Sequence, residues 1–477
     1  MHRYRLSVAL ATSALCASIA APALADDLED LKKQQEELRK IVERQQEEIA
    51  KLRAQVADGS NSQGGEGAEK QQLSNAIDEL AKAGDNSGPV TWKQISKQGS
   101  KFTLYGFLRI DAQYDTSRMN STQTPAWVRS EDPTAPASIG APEDSSDFNM
   151  HPKLTRLGLD FDGPTVASLG NAKVNGKLET DFYNATGTDS RAALRIRHAY
   201  MKLQWGDETS ILAGQTQDLI SPLNPIVNND FVMWGAGNLG DRRPQVRGEW
   251  TPGIGKSGKL ILQGMIGDTG AVDGKDLDPA GTTGAGYLDG QTSGSPTWQG
   301  RVGMRLKNWD EKDIEFGVWG HMSTDDPDTP INGHASFDSR AIGCDVKVPL
   351  LGDTLWVQGE LWAGQDLTDV RGGILQGVNT TTGDEIESKG GFLEVGAKLN
   401  AWLNLYAGYS TDNPDDGDLS AGGVTGGRSL NKIVYAAARM NFNPVELGLE
   451  WLHWKTEFIG FDDGTSDRVV AFAAYRF

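Results

Sequence analysis

Cysteine is nearly absent: the chain of 477 residues holds two, Cys16 and Cys344. That excludes a disulfide scaffold and a cysteine-rich zinc site. Long apolar runs are missing too. No stretch after residue 25 approaches the roughly 18–20 apolar residues of a membrane-spanning helix. The remainder is therefore not a helical membrane protein. Alternating strands leave no mark on such a scan, so a membrane β-barrel stays open. Basic residues are in deficit, 46 Lys and Arg against 65 Asp and Glu, for a formal charge of −19. This argues against nucleic-acid binding by bulk charge, whose footprint is basic. Catalytic signatures are lacking as well. His151, His198, His321, His334 and His453 stand in no nucleophile-elbow or zinc-binding spacing. The sequence thus predicts no enzyme, no cofactor and no metal site.

What is present begins with an export signal. His2, Arg3 and Arg5 precede a small, apolar stretch from Leu6 to Ala20. Ala23-Leu24-Ala25 fits the small-x-small cleavage rule, which makes Asp26 the new N-terminus. From Leu28 the apolar spacing alternates three and four: Leu28, Leu31, Gln35, Leu38, Val42, Gln45, Ile49, Leu52, Val56. That is a heptad seam over about four heptads, and it predicts a self-associating coiled coil over residues 26–57. Val and Ile at one seam position with Leu at the other favour two strands, whereas Gln35 and Gln45 leave the number open. Asp58 to Gly67 is a flexible linker by composition, and Leu73, Ile77 and Leu80 mark a short helix before residue 101.

After Lys101 the apolar period changes to two. Leu104, Leu108, Ile110 and Ala112 share one face of the first run, while Arg109, Asp111 and Gln113 share the other. Similar runs begin near Leu154, Ala172, Leu194, Ser210, Pro244, Lys259, Trp298, Ile314, Arg340, Leu355, Phe392, Trp402, Lys432, Val445 and Arg468. About 16 strands result, an even number as bacterial barrels require. Short connections such as Gly206-Asp207-Glu208 and Asn443-Pro444 alternate with long ones such as 115–153, 216–243 and 364–390. Val469, Ala471, Ala473, Tyr475 and Phe477 alternate to a terminal aromatic, like the sorting strand of outer-membrane barrels. Trp250, Trp298, Trp402 and Tyr475 sit at strand ends, as interfacial girdles do. The expected fold is all-β: a transmembrane antiparallel β-barrel over residues 101–477 with an N-terminal α-helical coiled coil.

If apolar faces meet lipid, the opposite faces line water. A lipid-facing Arg or Lys near the midplane costs about 2–4 kcal/mol, so the lumen is the cheaper place. Alternation puts Arg109, Arg156, Arg247, Arg301, Arg305 and Arg439 there, with Glu179, Asp181, Glu360 and Glu394. Arg195 and Arg197 share a parity with Met201 and Leu203, so a bulge or an early strand start must intervene if they face water. The segment from Gln215 to Arg243 holds Pro222, Pro225, Phe231 and Trp234 and is too apolar for an ordinary exposed loop. It is expected to fold inward and narrow the pore. It ends in Arg242 and Arg243, which complete the expected anion-attracting, pore-lining set. A wall of arginines paired to lumen carboxylates is the alternative to a selective constriction.

These features together resemble one known group. Signal, coiled coil, linker, YGFLRIDAQYD (Tyr105 to Asp115), LRIRHAY (Leu194 to Tyr200), LAGQT (Leu212 to Thr216) and the terminal aromatic are similar to the DcaP-like porin family. The resemblance implies a homotrimer joined through the coiled coil and the barrel walls. It implies an outer-membrane location with the coiled coil in the periplasm, among lipid and lipopolysaccharide. It also implies passive uptake of small anionic solutes such as dicarboxylates. Two other functions fit parts of the sequence: a periplasmic spacer carrying a non-selective pore, and a barrel hydrolase.

Overall fold

The computed structural model describes residues 94–97, 100–183, 190–227, 232–255, 257–277, 287–421 and 427–477. The expected signal, coiled-coil seam and linker, and Phe231, lie outside those residues. Sixteen strands follow one another: β1 (Ser100–Asp115), β2 (Arg156–Val166), β3 (Ala172–Asp181), β4 (Arg195–Trp205), β5 (Thr209–Gln217), β6 (Arg242–Trp250), β7 (Gly258–Gly267) and β8 (Thr297–Lys307), then β9 (Asp313–Asp325), β10 (Phe337–Pro349), β11 (Leu355–Gln365), β12 (Glu387–Lys398), β13 (Leu403–Pro414), β14 (Arg428–Phe442), β15 (Val445–Phe458) and β16 (Phe461–Arg476). Each pairs antiparallel with the next. β16 returns to β1 in the register Phe107–Arg476 to Asp115–Arg468, and the cylinder closes without a free edge.

The faces are inverted relative to a soluble protein. Outward Leu361 and Ile342 are 66 % and 63 % exposed, whereas inward Asp111 and Glu450 are 1 % exposed. The aromatics expected at strand ends point out: Trp250, Trp298, Trp402 and Tyr475 are all exposed. Such a surface is stable only where hydrocarbon replaces water outside and closure satisfies every ladder hydrogen bond.

Two irregularities have local causes. A segment Asp147–His151 pairs with the upper part of β1, and β2 pairs with the lower part. Pro152 stands between them and brings no N–H to a ladder. Thr155 fills the gap: its hydroxyl accepts from the Arg109 N–H at 3.0 Å and donates to the Arg109 carbonyl at 3.2 Å. The second irregularity is in β4. Glu179 opposes His198 and Thr180 opposes Ile196, so Arg197 is the extra residue of a bulge. The bulge lets Arg195 and Arg197 face the lumen while Met201 stays outside.

Short turns occupy one rim, among them 206–208, 308–312 and 443–444. Gly206 is left-handed at φ 58°, which a residue with a side chain resists. The opposite rim carries the long loops 116–146, 218–241, 268–296 and 366–386. The last connection on that rim departs from the expectation. β16 begins at Phe461 rather than near Arg468, and only Ile459-Gly460 links it to β15. Polar Asp462, Asp463 and Asp467 hide this extension from an apolar scan, because it stands beyond the apolar band.

Candidate functional site

The loop 218–241 leaves the wall between β5 and β6 and docks on the wall from β11 to β14. Those strands stand about half a circumference away, so the loop crosses the lumen. The Leu223 N–H donates to Glu360 Oε1 at 2.7 Å, and the Ile226 N–H to Glu394 Oε2 at 2.8 Å. Trp362 Nε1 donates to the Gly237 carbonyl at 2.8 Å, and Asn431 Nδ2 to the Gly235 carbonyl at 2.7 Å. Each buried backbone group needs such a partner. Val227, Met233 and Ala236 then pack on Ile433, Tyr435, Leu452 and Trp454. This is the inward fold expected of so apolar a segment.

The arginines fall into three groups. The first is neutralised in place. Arg301 donates to both oxygens of Asp345 at 2.9 and 2.6 Å, and Gly317 makes room for it: a Cβ there would lie 2.8 Å from Arg301 Nε. Arg305 grips Glu315 at 3.0 and 2.7 Å. Arg439 holds Glu450 at 2.5 Å and the Ile226 carbonyl at 2.6 Å. Arg109 holds Asp111 and stacks 3.6 Å from the centre of the Phe472 ring, which Arg439 also faces at 4.9 Å.

The second group lies on the wall from β2 to β6. Arg195 fork-binds Asp181 at 2.9 and 2.7 Å. Arg197 spans Glu179 at 2.8 Å and Asp181 at 3.0 Å. With those carboxylates engaged, Arg156 keeps a contact of only 3.5 Å to Glu179. Arg242 reaches Asp241 at 3.4 Å, yet Asp241 is already gripped by Arg371 at 2.9 and 3.0 Å. The strongest electrostatic neighbours of Arg242 are three cations, Arg197, Arg195 and Arg156, and one anion, Asp241. Arg247 donates to Gln245 and to the Gln217 carbonyl, both neutral, and forms no ion pair among the described residues. Arg156, Arg242 and Arg247 are thus the under-compensated cations of this wall.

Arg243, the third case, is a correction. It was expected to line the pore, but its side chain is fully buried. It binds Asp218 Oδ1 at 2.7 Å and Asp369 Oδ2 at 2.6 Å, and so ties the 218–241 loop to the 366–386 loop. Burial alone would raise the Asp369 pKa, yet the Arg243 guanidinium overrides it and holds that carboxyl below its ordinary value. Sequence reasoning missed this bond because Asp369 lies 126 residues away. It also missed Arg468, which is buried on Asp115 at 2.7 Å and Gln113 at 2.6 Å. The alternation of Val469 and Ala471 was the signal that could have placed it inside. Asp325, the last residue of β9, is buried against Lys275 at 2.6 Å.

A closed barrel of sixteen strands, short turns on one rim and a loop folded across the lumen describe a channel. The model of the DcaP outer membrane protein family matches residues 33–267. The chain belongs to that family. Among solved structures, the outer membrane channel DcaP of Acinetobacter baumannii aligns with a TM-score of 0.58 at 20 % identity, covering 80 % of this chain and 99 % of that one. An anion-selective porin from Comamonas acidovorans aligns with a TM-score of 0.50 at 12 % identity, covering 79 % of this chain and 100 % of that one. At such identities these likenesses concern the fold. No curated protein sequence matches the chain. Like its family, this chain is an outer-membrane channel with the porin fold.

Proposed function

We propose that this DcaP-family channel is a passive porin that favours small anionic, dicarboxylate-like organic solutes. The observation that supports this reading is the under-compensation of Arg156, Arg242 and Arg247. The carboxylates nearest Arg156 and Arg242 are held by other arginines, Arg247 forms no ion pair among the described residues, and the docked 218–241 loop confines solutes to the remaining lumen. Selectivity in a pore follows the local field rather than the net charge, so the formal −19 does not oppose it. A solute carboxylate could accept from these guanidinium groups in a fork that Lys would not offer. No side chain performs chemistry and no energy is coupled; flux follows the gradient. In this reading the chain is a homotrimer, with the 26–57 coiled coil in the periplasm and the outward apolar faces against lipid, lipopolysaccharide and neighbouring barrels.

Reversal potentials across a planar bilayer under a salt gradient test the reading. Anion preference is expected, reduced in Arg156→Gln and Arg247→Gln. Cation preference in the wild-type channel would overturn it.

A further inference from the structure

Inside the barrel, below the docked loop and toward the rim of short turns, lies a cavity of about 620 Å³. Ile226 of the 218–241 loop roofs it, and Lys347, Trp356, Gln358 and Tyr406 line it. None of the under-compensated arginines belongs to it. Trp356 has a fixed orientation for a physical reason. Its indole lies over Gly396, where a Cβ would come within 2.2 Å of the ring, so a glycine is required there. Tyr406 meets the indole edge-on, with centroids 5.7 Å apart at 76°. Trp356 makes no hydrogen bond among the described residues, so its indole N–H is free to donate.

Lys347 is exposed beside this pair and forms no ion pair among the described residues. Its cross-strand neighbours are Glu315 and Gln358. Glu315 is taken by Arg301 at 3.2 Å and Arg305 at 2.7 Å, and Gln358 donates to the Asn224 carbonyl and Glu394. The other charges of the cavity are matched locally. Lys312 pairs with Asp353 at 2.8 Å and Asp313 with Lys307 at 2.8 Å. Glu394 is only 1 % exposed and is occupied by Ile226, Gln358 and Tyr435. Among the described residues, one free cation therefore stands beside one flat aromatic surface.

We infer that this cavity is a second solute site, separate from the under-compensated arginines, that takes aromatic monocarboxylates. The carboxylate accepts from Lys347 Nζ and the Trp356 N–H, and the ring lies against the indole and Tyr406. Ammonium, donor and aromatic face each contribute modestly, and together they hold a solute at the exit from the constriction. A second carboxylate would meet no free cation here, so a single charge is preferred. The inference rests on the channel reading above.

The test uses the full-length protein in a planar bilayer, with benzoate and acetate as the probes. Benzoate is expected to interrupt the open-channel current, whereas acetate, equal in charge but without a ring, passes without measurable dwell. Lys347→Gln and Trp356→Leu should each shorten the benzoate dwell at least about fivefold, which corresponds to about 1 kcal/mol. Trp356→Leu removes no charge, so a shortened dwell in that variant reports the lost indole face and donor rather than a weaker field. Equal benzoate dwell in the wild type and both variants, or equal dwell for acetate, would overturn the site. Failure of the anion reading shows up separately, as cation preference in the wild type with the benzoate block intact.

Discussion

Arg242 and Arg243 are neighbours in the chain with opposite surroundings, and replacing each by Gln separates their roles. Arg243→Gln leaves Asp218 and Asp369 buried with no cation between them. The lost contacts are those to Asp218 at 2.7 and 3.2 Å, to Asp369 Oδ2 at 2.6 Å and to the Asp369 carbonyl at 2.6 Å. Removing one partner of a buried ion pair costs about 3–5 kcal/mol. Two stranded carboxylates place this case toward the upper end. The cost falls on the joint between the 218–241 and 366–386 loops, because the barrel ladder does not involve these contacts. Cleavage of that joint by thermolysin should therefore quicken by about a thousandfold to a few thousandfold, provided opening is fast relative to cutting. Adding Asp218→Asn and Asp369→Asn should restore much of the protection, since no buried charge is then left over. Arg242→Gln removes a cation whose only carboxylate contact is 3.4 Å long. The Arg242 side chain is itself only 9 % exposed, but Arg371 keeps Asp241 paired and no carboxylate is stranded, so the variant's cleavage rate should stay within about tenfold of wild type, about 1.4 kcal/mol, while anion preference falls. The reasoning is refuted if Arg243→Gln keeps wild-type resistance and loses anion preference instead.

Other consequences are more direct. The anion preference set by Arg156, Arg242 and Arg247 should weaken from 0.1 M to 1 M salt, as the screening length falls from about 10 Å to about 3 Å; an unchanged permeability ratio would point to steric selection. Gly317→Val would drive a side chain into Arg301, whose Nε lies 2.8 Å from the place a Cβ would take. It should destabilise the barrel by about 1–3 kcal/mol in a detergent melt. Burial pushes the carboxyl of Asp289, in the 268–296 loop, up to about 6. The closed loop then takes up a proton more readily than the open one. Closure should strengthen as pH falls from about 6 toward the ordinary Asp value of about 4, and weaken as pH rises through that window. Hydrogen exchange at the Leu277 amide, which donates to Asp289 Oδ2 at 2.9 Å, would report it, and Asp289→Asn should flatten the dependence.

Much of the barrel is legible in the linear order, because a strand assigns each side chain to a face by parity alone. Leu108 and Ile110 outside with Arg109 and Asp111 inside need no partner to be placed. At Arg197 parity left a choice between a bulge and an early strand start, and the pairing with β3 decides for the bulge. The inward course of the 218–241 loop followed from apolar content that water would not accommodate. The start of β16 was not legible, because Asp462 to Asp467 stand beyond the apolar band and parity carries no hydrophobic signal there.

Parity says which way an arginine points and nothing about what it meets. Arg242 and Arg243 look interchangeable in the chain, yet one is left beside three other cations and the other is sealed between two carboxylates. The difference arises because barrel closure and the folding of two separate loops bring Asp369 to Arg243, whereas Asp241 is taken from Arg242 by Arg371. A strand's period is a local property of the backbone and survives in the sequence. Charge compensation depends on distances across the lumen, and only the closed cylinder fixes those.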